Sequence, residues 1–295
     1  YAAGTPLLPE VREAMAAAVA EAGNPSSIHQ AGRRAKERLE QARRQVAGLI
    51  NAQPDELSFT SCGTESNNWA LRGLLSANRR RGHHLIMSAI EHPSVALVAR
   101  RLELEGMYVT TLPVDREGLV SISDLTAALR PETVRVSIML ANGEVGTIEP
   151  IKELAAAAHE HGALFHTDAI AAVGHLEVDV KVLGVDALSL AANQFYGPPG
   201  AAGLFVREGL RILPLLEGGG QEQGGRSGTE ALALIVGMGA AAELAQRELP
   251  QRSERLSRLR DQLRDGLQVR IEPIRVNGSW TFRLPHNLHV CVEGA

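Results

Sequence analysis

Cysteine is nearly missing from this 295-residue chain, which carries only Cys62 and Cys291. So far apart in sequence, the two give neither a disulfide framework nor the close ligand spacing of a zinc site. Long apolar runs are missing too: no segment is long enough to cross a bilayer, and no charged-then-apolar leader precedes Tyr1. A cytoplasmic protein is therefore expected. There is no basic excess, since 30 Lys and Arg face 34 Asp and Glu for a formal net charge of −4. That balance offers no field to nucleic acid and leaves no acidic tail. The Arg79-Arg80-Arg81 run, in a Gly-containing turn before a strand, reads as a solvated loop.

What is present is an alternation of strand and helix patterns long enough to bury a large core, so one large α/β domain plus a smaller piece is expected. Helical spacing covers residues 9–22 and 32–50, the second with Glu and Arg three or four apart. Apolar strands are expected at 57–60, 85–88, 108–113, 134–140 and 163–165, with a helix at 151–161. Residues 187–190 read as a strand buried on both faces. A long charged helix is expected at 243–267, and residues 269–292 read as the start of a smaller α+β unit.

Several strands end in polar, glycine-bearing segments, which is where open α/β sheets place ligand chemistry. Strand 57–60 runs into Ser61-Cys62-Gly63-Thr64-Glu65-Ser66-Asn67-Asn68 before a helix expected at 69–76. A strand, a turn of small residues and a helix start offer free N–H groups that suit a phosphate, and equally an ordinary cap by Thr64 or Ser66. Asp168, in His166-Thr167-Asp168, is a strand-end carboxylate that needs a cationic partner if buried, or caps a following helix. With His92 and His166 it also forms a candidate metal set, since residues two apart on a strand share a face. Residues 218–230 are too glycine-rich for a regular element and alone read as a flexible loop.

Together these stretches resemble the cysteine desulfurases, pyridoxal 5'-phosphate (PLP) enzymes of the class V aminotransferase group. DALSLAANQFYGPPG, residues 186–200, resembles the family's cofactor-lysine loop, roughly Ser-x-His-Lys-Phe-Tyr-Gly-Pro-Lys-Gly. Residues 61–68 resemble its phosphate loop Thr-Ser-Gly-Gly-Thr-Glu-x-Asn-Asn, and 91–94 its Glu-His-x-Ser/Ala segment, while 142–147 resemble Asn-Asn-Glu-x-Gly-x. Residues 218–230 resemble Gly-Gly-Gly-Gln-Glu-x-x-x-Arg-x-Gly-Thr. The resemblance implies PLP fold type I, with a mainly parallel seven-stranded sheet flanked by helices. It divides the chain into a remnant of an N-terminal small-domain segment (1–8), a large α/β domain (9–250) and an incomplete small domain (251–295). Both ends match interior stretches of the family pattern and read as cut, the loop with the catalytic cysteine falling beyond the sequence. The implied reaction moves sulfur from L-cysteine to an enzyme persulfide, leaving alanine, in iron–sulfur cluster assembly. By resemblance Gly63 and Thr64 hold the phosphate, His92 stacks on the pyridine ring and Asp168 pairs with the ring nitrogen. Thr229 reaches the partner's site in a homodimer, and a sulfur acceptor or a scaffolded protein is the further partner.

The family's lysine position holds Gln194, whose amide nitrogen is neither nucleophilic nor basic. The phosphate-binding Ser is Ala191 and the adjacent His is Asn193. The two partners of the phenolic oxygen are Gly143 and Ala171. Each lost bond to a bound anion is worth about 1.5–3 kcal/mol. The expectation is a desulfurase-like fold that has lost catalysis and survives as a dimeric scaffold or partner-binding module. The alternative is an enzyme using PLP or pyridoxamine phosphate without a covalent link, and a lysine such as Lys152 or Lys181 reaching the pocket from elsewhere would overturn the silent reading.

Overall fold

The computed structural model describes residues 3–292 and Gly294, apart from Ala22 and Glu272. Tyr1 and Ala2, in the N-terminal match, Ala22, the expected end of the first helix, and Glu293 and Ala295, in the C-terminal match, lie outside the described residues.

Seven strands, β1 (Leu57–Thr60), β2 (His84–Ser88), β3 (Tyr108–Leu112), β4 (Thr133–Ser137), β5 (Leu164–Asp168), β6 (Ala187–Ala191) and β7 (Ala202–Val206), form one sheet in the order β1-β7-β6-β5-β4-β2-β3. Only β7 runs against its neighbours; β6, β5, β4, β2 and β3 are parallel. Every residue of β4, β5 and β6 is buried. Parallel strands need crossovers, and the crossover helices cover both faces, so the strands read as continuous apolar runs.

The helices are α1 (Pro9–Ala20), α2 (Gln30–Leu49), α3 (Gly63–Ala77), α4 (Pro93–Leu104), α5 (Ile122–Ala128), α6 (Ile151–Glu160), α7 (Val180–Leu183) and α8 (Leu232–Arg270). On one face Trp69 and Leu74 of α3 pack on Leu164, Ala187 and Leu204. The alternate residues Phe165, Leu188 and Phe205 join the main core with side chains of α2, α6 and α8. A separate two-stranded sheet pairs β8 (Ile274–Val276) antiparallel with β9 (Val290–Val292).

Several elements differ from the sequence reading: β4, expected over 134–140, spans Thr133–Ser137; β5, expected over 163–165, spans Leu164–Asp168; and β7 has no counterpart in it. Helix α3 begins at Gly63 rather than near Trp69. Its first turns are polar and bonded inside the fold: the Ser66 hydroxyl pairs with Thr60 Oγ1 at 2.6 Å and the Asn67 amide nitrogen donates twice, while Asn67 Oδ1 is buried with no partner among the described residues. Helix α8 starts at Leu232, eleven residues before the expected 243, because two glycines that weaken a helix in isolation are needed for close packing. A Cβ at Gly237 would lie 2.6 Å from Met15 of α1, and one at Gly239 would lie 2.7 Å from Ala42 of α2.

The glycine-rich segment is pinned rather than loose. Glu222, in the left-handed region at φ 48, is buried and accepts Arg43 Nη1 at 2.7 Å and Nη2 at 2.9 Å, plus the Phe59 N–H at 2.8 Å. Arg226 Nε donates to Glu65 Oε1 at 2.7 Å, tying the same segment to the first turn of α3.

Two buried arginines thus stand in opposite situations. Arg43 has a carboxylate partner, whereas Arg135 on β4 is fully buried and, among the described residues, donates only to the Ala70 carbonyl and has no partner for Nε and Nη2. Burial pulls Arg135 down to about 9, with Asp186 acting the other way. Removing one partner of a buried pair strands the other charge, so Glu222→Gln is expected to cost about 3 kcal/mol in urea unfolding. Arg135→Leu is expected to shift stability the other way, raising it by about 1–3 kcal/mol, because an unmatched desolvated group is deleted.

Candidate active site

The C-terminal ends of β1, β2, β4, β5 and β6 share one edge of the sheet, and the segments following them enclose a cavity of about 630 Å³. Gly63 and Thr64 enter it after β1, His92 after β2, Gly143 in the loop beyond β4, Asp168 and Ala171 at the end of β5, and Ala191, Asn193 and Gln194 at the end of β6. Nine site positions named from the sequence are thereby brought together. Thr229 is not among them: it is exposed and lines a separate cleft with Phe59, Ser61 and Ala231.

Asp168 forms the floor. Its carboxylate is 4% exposed and accepts the Asn67 amide at 2.7 Å and the Ile170 N–H at 3.0 Å. Burial raises its pKa, opposed by those two donors and by His92. Among the described residues no Lys or Arg lines the cavity.

Asn67 also donates to the Ser94 hydroxyl at 2.8 Å, and Ser94 Oγ lies 2.7 Å from His92 Nδ1. The Ser94 backbone N–H points at the same Nδ1 at 3.1 Å. That nitrogen is therefore an acceptor, which leaves the proton of the neutral ring on Nε2. His92 is exposed along the cavity wall, so the chain His92–Ser94–Asn67–Asp168 joins wall to floor. Neither Asn67 nor Ser94 was singled out as a functional residue from the sequence. The available signal was three consecutive polar residues, Ser66-Asn67-Asn68, ahead of an apolar helical run.

At the other end of the cavity, α3 is capped by Cys62 with extended backbone and no side-chain cap, rather than by Thr64 or Ser66. Cys62 adopts φ −166, extended backbone open to any residue. The N–H groups of Gly63 and Thr64 have no acceptor among the described residues, and the helix dipole adds positive potential there. A Cβ at Gly63 would lie 2.1 Å from Ile170 Cδ1, so a side chain there would require Ile170 to swing aside.

Gln194 is 9% exposed; its side-chain amide opens onto the cavity and hydrogen-bonds none of the described residues. The turn that carries it is fixed by its backbone. Thr5 donates its N–H to the Asn193 carbonyl at 2.7 Å, and its hydroxyl accepts the N–H of Tyr196 at 2.6 Å, where φ is 67. His175 Nε2 bonds the Gln194 carbonyl at 2.8 Å. Lys152 on α6 and Lys181 on α7 are both exposed and neither lines the cavity.

The candidate metal set does not assemble. Both ring nitrogens of fully buried His166 are taken by hydroxyls, Ser137 at 2.9 Å and Ser189 at 3.1 Å, and burial holds the ring far below its ordinary pKa, hence neutral. Among the described residues no group of three or more His, Cys, Asp or Glu is placed to hold a metal ion.

As a cradle for PLP the cavity fits at its two ends and fails between them. A buried carboxylate without a cation suits a protonated ring nitrogen, and the open start of α3 suits a phosphate. Gln194 cannot form the covalent link, and Gly143, Ala171 and Ala191 offer no side-chain donors where the family grips the ring and phosphate. The residues present therefore fit a reversible guest and not a tethered one.

Glu91 lines the same cavity. Its Oε1 accepts the Ser88 hydroxyl at 2.6 Å and the Met139 N–H at 2.9 Å, while Oε2 is buried with no partner among the described residues. Burial lifts its pKa to about 8, and burial lifts Glu149 to about 7. A raised carboxyl pKa means that the folded state holds a proton the unfolded state has released, so stability falls as pH rises from about 4.5 to about 8. Glu91→Gln, which mimics the protonated form, is expected to flatten that fall. Chemical unfolding at pH 5 and pH 8 should find the variant's gain over wild type larger at pH 8.

The aminotransferase class-V family matches residues 1–294. Cysteine desulfurase IscS of Dictyoglomus turgidum is 49% identical over 290 residues, 98% of this chain and 74% of the relative. A solved NifS-like protein superposes with a TM-score of 0.95 at 35% identity, over 99% of this chain and 80% of that one. A second solved structure, described as SspA in complex with cysteine, matches with a TM-score of 0.80 at 39% identity over 82% of this chain and 71% of the other. A cavity at the carboxyl edge of a mostly parallel seven-stranded sheet, with Asp168 at its floor, thus sits in a chain that belongs to the class V aminotransferase family as a cysteine desulfurase-like member.

Proposed function

We propose that this chain keeps the desulfurase fold and pocket but does not carry out PLP-dependent removal of sulfur from L-cysteine. The observation that carries this reading is Gln194 at the end of β6, facing a cavity that no lysine lines. The family chemistry uses PLP as an electron sink and needs a protein amine both to hold the aldehyde and to move the substrate proton. An amide does neither at neutral pH. What the chain's own residues do is narrower: Asn67 and the Ile170 N–H hold the Asp168 carboxylate in place, and His92 presents Nε2–H to the cavity. On this reading the protein serves as a homodimeric scaffold, with Thr229 directed to the partner copy and a sulfur-acceptor protein as its associate. Among the described residues no helix is long and apolar enough to cross a membrane.

A second reading, an enzyme that holds PLP or pyridoxamine phosphate without a covalent link, is favoured by the two intact ends of the cavity. Protein incubated with excess PLP and then gel-filtered distinguishes the two. The silent reading expects no stoichiometric visible band, no increase in melting temperature with PLP, and no alanine formed from L-cysteine. A stoichiometric band that borohydride fixes onto the protein, with alanine production, would reject it.

A further inference from the structure

We infer that the stacked imidazoles of His175 and His286 form a proton-operated latch, which holds the C-terminal segment 284–287 against the cavity rim while both rings are neutral and frees it when they take up protons. His175 lies between β5 and α7, and its Nε2 bonds the Gln194 carbonyl at 2.8 Å. A carbonyl only accepts, so Nε2 carries the proton and Nδ1 of the neutral ring is bare. His286 stacks on this ring, with the centroids 3.9 Å apart and the planes tilted by 34°. The residues on either side of His286 tie the same segment to the loop after β4. The Leu284 N–H donates to the Gly146 carbonyl at 2.8 Å, and the Asn287 amide donates to those of Gly143 and Glu144. One short segment thus joins two sides of the rim, the loop after β4 and the turn after β6.

The geometry leaves a further proton without an acceptor. His175 is 3% exposed, and Nδ1 of each ring is buried with no partner among the described residues. Protonating either ring would bury an unpaired N–H and set a charge against the face of the other ring. The charges acting on the pair are positive: Arg252 of α8 on His175, and the amino-terminal group on both rings. Arg252 is itself paired with Glu248 at 2.7 Å, while beside His286 Arg260 donates to the Leu284 carbonyl and Arg283 to Asn287. Burial first, opposed by the Gln194 carbonyl and joined by Arg252, brings His175 to about 4; burial and then His175 bring His286 to about 3. Both values lie below the ordinary 6.5, so the closed latch keeps its full stability above about 6.5 and loses it as pH falls toward about 4. Glu91 and Glu149, with raised values, act in the opposite sense and favour the folded state as pH falls.

Hydrogen exchange of the whole chain, read by mass spectrometry at pH 6 and pH 5 and corrected for the intrinsic pH dependence of exchange, tests the latch. With freed rings titrating near 6.5, opening of the peptide covering 284–287 is expected to rise about fiftyfold between the two, close to two protons per opening, while peptides of β4 and β5 change little. His286→Phe keeps a stacked ring that cannot titrate, and is expected to cut the rise to below about tenfold, the share of one proton. His286→Gln, which also cannot titrate, repeats the measurement should the phenylalanine lower the melting temperature. A rise as large in these variants as in wild type, a rise shared equally by β4 and β5, or no rise at all overturns the latch.

Discussion

A carboxylate withdrawn from water has to be answered, and in this protein the answer to Asp168 organises the site. The charge sits at the end of β5 on the face covered by α3, and the amide of Asn67 reaches it from the second turn of that helix. For Asn67 to do so α3 must begin at Gly63, directly off β1, and that same early start leaves the N–H groups of Gly63 and Thr64 open at the far side of the cavity. Floor and anion end are therefore set by one helix. Without Asn67, the carboxylate would keep one donor, the Ile170 N–H, and would not hold its charge as well against burial.

The rest of the molecule holds that helix and its neighbours in register. Arg226 on Glu65 fastens the first turn of α3 from outside, and the Arg43–Glu222 pair fastens the segment that carries Arg226. The loop after β4 is gripped from the C-terminal region, where Asn287 donates its amide to the carbonyls of Gly143 at 3.1 Å and Glu144 at 2.9 Å. None of these contacts involves the side chain at position 194. The fold can therefore tolerate an amide there, because the lysine of the family serves the cofactor rather than the packing.

Much of the architecture was legible in the sequence, because apolar strands covered on both faces write themselves as short continuous runs. β1 is found at the residues expected, β2 and β3 shift by one residue, and Asp168, His92 and Gln194 fall at strand ends as read. What stayed hidden depends on pairs far apart in sequence. Nothing local at Glu222 announces Arg43, 179 residues away, so a pinned segment read as a free glycine loop. Ser94 and Asn67, 27 residues apart, have meaning only once α3 and α4 lie side by side. The two glycines inside α8 look like helix breakers until α1 and α2 are seen pressed against them.

The clasp made by Thr5 has a bearing on how the chain reaches this state. It joins residues 188 apart, so closing it carries the entropy of a very long loop and gives nothing back until the sheet between is already assembled. The clasp on the turn that holds Gln194, with Tyr196 in its left-handed conformation, therefore adds stability only where the sheet already brings its two ends together.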